Sequence, residues 1–143
     1  MMYEFKTALI DAMAKAAYDE SIKLGVGVTL AIADSGGALL YLQRFPNAIL
    51  PSIEIAQNKA YTAAVLRMST AQFGTIAQPG ESAFGINVTA PKLVIFGGGF
   101  PLVKQGQTVG GIGISGASVE EDEQIAQAVL RVFENHIVDA QTL

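Results

Sequence analysis

Two turn sequences constrain this chain more than any other feature. Asp34-Ser35-Gly36-Gly37 ends the largely apolar run VGVTLAIAD (26–34) and leads directly into ALLYLQRF (38–45). Gly106 separates PLVKQ from QTVGGIGIS in the same way. Apolar, β-branched runs bounded by Gly, Asp and Ser read as strands joined by tight turns. A strand that returns so soon must pair antiparallel, because a parallel crossover needs about a dozen residues or more. The sheet is therefore expected to be built from hairpins and not from a βαβ ladder.

Helices fill the remaining chain. Phe5, Leu9, Met13 and Ala16 follow helical spacing, which predicts a helix over roughly 4–24 that Gly25 stops. Pro46 and Pro51 bracket a loop, and a helix is expected over 52–68, with Ala56, Ala60, Ala63 and Ala64 allowing close packing. Ser69 is placed to cap a short helix to about Ala77, and QPGESAFGIN (78–87) reads as a loop. KLVIF (92–96) reads as a further strand before Gly97-Gly98-Gly99, and a final helix is expected over about 119–136. The order predicts an α+β fold, with helices packed on a mostly antiparallel sheet, in a single domain over 1–143.

Composition excludes several classes of function. A net charge of −4 speaks against nucleic acid or an acidic membrane surface as partner. No apolar run approaches the ~18 residues of a membrane span, and Glu4, Lys6, Asp11 and Lys15 interrupt what would be a secretory signal. A cytoplasmic location is expected. With no cysteine and one histidine, disulfides, thiolate nucleophiles and multi-histidine metal sites are excluded. Half the residues are hydrophobic and only 15% are charged, which points to surface buried in a homo-oligomer.

GIGISG (111–116) matches the Gly-x-Gly-x-x-Gly dinucleotide pattern. That pattern belongs at the first turn of a parallel βαβ unit, whereas here only one helix follows. Ser118 and Glu121 form a capping box, and Glu120, Asp122 and Glu123 add charge that would repel a pyrophosphate. Gly110, Gly111 and Gly113 read instead as positions where a helix or ligand approaches a strand.

Gly97, Gly98 and Gly99 read either as a wide connection or as a nest of N–H groups for an anion such as a carboxylate. Lys59, beside the alanine stripe, is either solvated or turned inward as the cation of that same anion site. Glu54 and Gln57 share a helix face at i and i+3, where they could meet a metal or a hydroxyl. Arg44 ends a strand, and His136 is expected in the last turn of the final helix, complementing its dipole. Ser35, Ser115 and Ser118 have no histidine partner in any recognisable arrangement.

Three stretches together resemble one family: IADSGGALLYLQR (32–44), EIAQNKAYTAA (54–64) and IFGGGFPLVKQGQTVGGIGISGASVEEDEQIAQAVL (95–130). They are similar to the GlcG/HbpS-like proteins, the haem-degrading domain family, which includes the C-terminal domain of PduO-type adenosyltransferases and the OrfY-like proteins. The resemblance implies a profilin-like fold, a five-stranded antiparallel sheet flanked by helices, assembled into dimers or larger homo-oligomers. It also implies haem or another tetrapyrrole as ligand for some members. Secreted haem-binding members carry an E-x-x-E iron-binding pair before a Lys-Ala motif, which reads Lys59-Ala60 here. The matching positions here are Glu54 and Gln57, and loss of one carboxylate disfavours iron, so no metal is expected. Tyr3, Tyr61 and Met68 remain as side chains able to ligate haem iron. Three functions stay open: a haem or small-anion binder, an enzyme acting on a small carboxylic acid through Lys59 and the glycine nest, and a non-catalytic accessory subunit of a metabolic operon.

Overall fold

A computed structural model of the chain describes residues 2–142. Its elements run α1 (Thr7–Leu24), β1 (Thr29–Asp34), β2 (Leu39–Arg44), α2 (Ser52–Leu66), α3 (Thr70–Thr75), α4 (Ile86–Thr89), β3 (Gly99–Lys104), β4 (Gln107–Ser115) and α5 (Val119–Thr142). The strands form one antiparallel sheet in the order β2-β1-β4-β3. Both hairpins form where the turn residues lie. The Asp34 carboxylate accepts from the Gly36 and Ala38 N–H groups at 2.9 and 3.0 Å, and Gly37 takes a φ of 86°. At the second turn Gln105 and Gly106 both have positive φ, 51° and 77°, which matches the right-handed twist of a two-residue hairpin.

The sheet has four strands, not the five expected. KLVIF (92–96) lies outside it, because its backbone is held by α2: Thr62 Oγ1 accepts from the Val94 N–H at 3.0 Å and donates to the Lys92 carbonyl at 3.1 Å. A short apolar run can be a strand or a buried connection with the same residues. Here the connection passes so close to α3 that a Cβ on Gly74 would run into the Ile95 carbonyl. Pro101 sits on the edge strand β3, where a missing N–H breaks no internal ladder.

The two faces of the sheet pack differently. On one face Leu30, Ile32, Leu102, Ile112 and Ile114 meet Leu9, Met13 and Ala17 of α1 and Ile125, Val129 and Phe133 of α5. Full burial of a side chain such as Phe133 contributes about 1.5–3 kcal/mol. Residues 2–6 precede α1, which starts at Thr7 and not at residue 4, and Tyr3 and Phe5 lie edge-on and tilted against Phe133. On the other face the core is thin: Ala31 and Ala33 of β1 against Ala56 and Ala60 of α2. The β4 glycines let α2 come this close, since a Cβ on Gly111 or Gly113 would strike the Ala60 or Ala56 carbonyl. Ser52 at the start of α2 shares a buried hydroxyl hydrogen bond of 2.8 Å with Thr29 of β1. No helix among the described residues is long and apolar enough to cross a membrane.

Candidate functional site

The alanine stripe and the glycines of β4 bring Lys59 against the sheet with no solvent exposure. Its ammonium group donates to the Ile114 carbonyl at 2.8 Å and to Asp122 Oδ2 at 3.1 Å, and lies 5.2 Å from the centre of the Phe96 ring. Asp122 is 3% exposed, and its other oxygen accepts from the Ala117 N–H at 3.0 Å. Burial pushes the Lys59 ammonium down and the Asp122 carboxyl up, and the opposite charge of the partner counters each shift. The pair therefore joins α2 to the first turn of α5.

Gly97, Gly98 and Gly99 lie against the same cluster. The Gly98 N–H donates to Glu123 Oε1 at 2.9 Å, and the Gly99 N–H donates to Thr70 Oγ1 at 2.9 Å. Gly98 has a φ of 121°, and a Cβ there would stand 2.5 Å from Lys59 Nζ. A Cβ on Gly97 would run into the Glu123 carboxylate. Lys59 and the glycines thus share one cluster, and the anions in it are Asp122 and Glu123 of the chain itself. From sequence these two residues read only as charges at a helix start. Their spacing carries no signal that one of them is core.

Glu54 and Gln57 face outward on α2. Glu54 is exposed, and Gln57 Nε2 donates to the Ile53 carbonyl at 3.0 Å. Gln57 lines a cleft of about 260 Å³ with Asn58, Tyr61, Lys92 and the turn residues Gly37 and Ala38. The Lys92 ammonium lies 5.2 Å from the Tyr61 ring centre. Among the described residues no group of three or more His, Asp or Glu side chains is placed to hold a metal ion.

The capping box forms as read. Ser118 Oγ accepts from the Glu121 N–H, and Glu121 Oε1 accepts from the Ser118 N–H, both at 3.1 Å. GIGISG (111–116) lies along β4 and the turn after it, with Gly111 and Gly113 under α2. Arg44 donates from Nε and Nη2 to the Ala48 carbonyl, a loop-closing role. His136 is not in the last turn of α5, because the helix continues to Thr142. The imidazole is exposed and lines a groove of about 640 Å³ with Tyr3, Lys6, Lys104, Val109 and Ile137. That groove is assembled from both chain ends and the β3–β4 hairpin, so no local pattern could disclose it.

Residues 5–131 match the model of the haem-degrading, HbpS-like family. The chain is 38% identical over 122 residues, 85% of its length and 86% of the relative's, to an uncharacterised 15.0 kDa protein encoded between dhaT and dhaS in Citrobacter freundii. Its fold is similar to that of the Klebsiella pneumoniae protein OrfY, with a TM-score of 0.86 at 33% identity, covering 94% of this chain and 97% of that one. It is also similar to PduOC in complex with haem, with a TM-score of 0.87 at 34% identity, covering 91% and 95%. The ordered glycine, lysine and acidic motifs and the fold that they support agree: the chain belongs to the HbpS-like family.

Proposed function

We propose that this protein binds a small ligand and that the ligand is haem or a related tetrapyrrole. The observation that carries the reading is its likeness to a haem complex over 91% of the chain. The residues present fit such a ligand. A free iron ion needs several anionic donors, and no group of three or more converges among the described residues, but a haem brings its own four nitrogens and asks the protein for one or two axial donors. Bound haem would supply iron-centred redox chemistry, and the chain would supply orientation, an apolar wall and counter-charges for the propionates. Titration of the purified chain with haemin should give a saturable Soret shift at micromolar concentration. A change that only follows added haemin, without saturation, would remove this reading.

A second reading is favoured by one contact. The Gly98 N–H already receives a carboxylate, that of Glu123. Lys59 and Gly97–Gly99 would then form an anion site for a small carboxylic acid, as binder or enzyme, with the ligand displacing Glu123. Glu123→Ala should make the melting temperature rise on adding acetate or glycolate by more than in wild type. If neither acid shifts the variant, the second reading fails.

We further propose that the protein acts as a homo-oligomer in the cytoplasm, as a ligand carrier or accessory subunit. Ile49, Leu50, Phe84, Val88 and Phe96 are large apolar side chains exposed by 43–78%, apolar area of the kind that association with a second copy covers. Light scattering should report a mass well above 15.0 kDa at micromolar concentration.

A further inference from the structure

Haem requires three things of a protein surface: a donor for iron, apolar contact for the porphyrin faces, and cations near the propionates. Clefts of about 260–300 Å³ at the α2 face and beside α1 are small for a porphyrin. The groove between the chain ends is about 640 Å³, inside the ~300–1,000 Å³ range of pockets that enclose ligands of this size. It contains the single histidine of the chain.

We propose that haem binds in this chain-end groove with His136 as its axial ligand and with Lys6 and Lys104 facing the propionates. The inference rests on the haem reading above and assigns it a place. Val109 and Ile137 supply apolar contact, and Ile137 is 8% exposed, continuous with the core beneath. Tyr3 forms a fixed wall: its ring is 4.7 Å from Phe5 in an edge-on contact and 6.0 Å from Phe133. Lys104 Nζ lies 5.4 Å from the Tyr3 ring centre, so the cation stands beside the surface on which a porphyrin would lie. Lys6 immediately precedes α1 and lines the same groove, so two ammonium groups stand there against the single carboxylate of Glu4. An ammonium pairs with a propionate as a point charge and tolerates some freedom in the ring's position. His136 is solvent-exposed on α5 and lines the groove, so its imidazole is open to a ligand there. A shallower depression lined by Val103, Gln105, Glu134, Ile137 and Val138 adjoins the groove but has no nitrogen donor for iron.

The test compares ferric haem spectra of wild type, His136→Ala and Lys104→Glu in the full chain. Wild type should show a histidine-ligated spectrum. His136→Ala should lose it, bind haemin at least tenfold more weakly, and regain the wild-type spectrum on addition of free imidazole. Lys104→Glu should keep the axial signature while weakening haemin binding several-fold. Saturable binding with an unchanged spectrum in His136→Ala would overturn the site while leaving haem binding intact. Absence of saturable binding in wild type would overturn the haem reading itself.

Discussion

Lys59 Nζ stands 3.1 Å from Asp122 Oδ2, with both side chains buried and the two residues 63 positions apart in the chain. This one contact fixes the helix on the thin face of the sheet to the first turn of the helix on the other face. Taking two charges out of water is costly, and breaking a buried pair from one side leaves the other charge uncompensated.

Lys59→Met should therefore destabilise the fold by about 3–5 kcal/mol in urea unfolding. Adding Asp122→Leu to that variant should recover a large part of the loss, because no unpaired carboxylate then remains buried. Equal stability of the single and double variants would show that Asp122 is solvated or protonated when Lys59 is absent.

Gly113→Ala should cost more than Gly106→Ala, for different reasons. A Cβ on Gly113 meets the Ala56 carbonyl of α2, a backbone that cannot yield without moving the helix. Overpacking of this kind typically costs about 1–3 kcal/mol. Gly106 has open space and a φ of 77°, so alanine there meets only backbone strain of about 1–2 kcal/mol. Denaturation midpoints of the two variants order the effects.

The two hairpins and the caps at Ser69 and Ser118 were legible in the sequence because each rests on neighbours in the chain: Asp34 with Gly36 and Ala38, Ser69 with Gln72, Ser118 with Glu121. Lys59 was legible as an odd charge beside alanines, and the glycines 97–99 as either a wide connection or an anion nest. That the nest holds Glu123, and the lysine Asp122, depends on contacts 25 and 63 residues apart. KLVIF failed as a strand for a related reason, since Thr62 takes the hydrogen bonds that a neighbouring strand would have made. His136 read as a dipole partner because the groove around it exists only once both chain ends are docked.

Glu20 and Gln124 give the fold an acid-sensitive link between α1 and α5. Gln124 Nε2 donates to Glu20 Oε2 at 2.8 Å, and this bond, aided by Lys23, holds the Glu20 carboxyl below its ordinary value of 4.5. Between the lowered folded value and 4.5 the unfolded chain binds more protons, so stability rises with pH across that window. The contribution is present above it and is lost as pH falls through the folded value. Wild type should exceed Gln124→Leu in urea midpoint at pH 6, and the gap should close on acidification. A gap independent of pH would mean that packing of Gln124, and not its bond to Glu20, sets the difference.

Nucleotides should not bind at residues 111–123 despite the glycine pattern. In the first turn of α5 the Glu121 N–H donates to Ser118 Oγ and the Asp122 N–H to the Ser118 carbonyl, and three carboxylates occupy that turn. Calorimetry with NAD and ATP should show no binding below the millimolar range. A micromolar isotherm abolished by Ser118→Ala would contradict this.

Native mass spectrometry of the chain mixed with equimolar haemin tests the haem reading most directly, because it counts ligand and subunits together. The expected spectrum shows an oligomer of the 15.0 kDa chain carrying up to one haem per copy, stable to mild activation. A spectrum of ligand-free chain alone would contradict it.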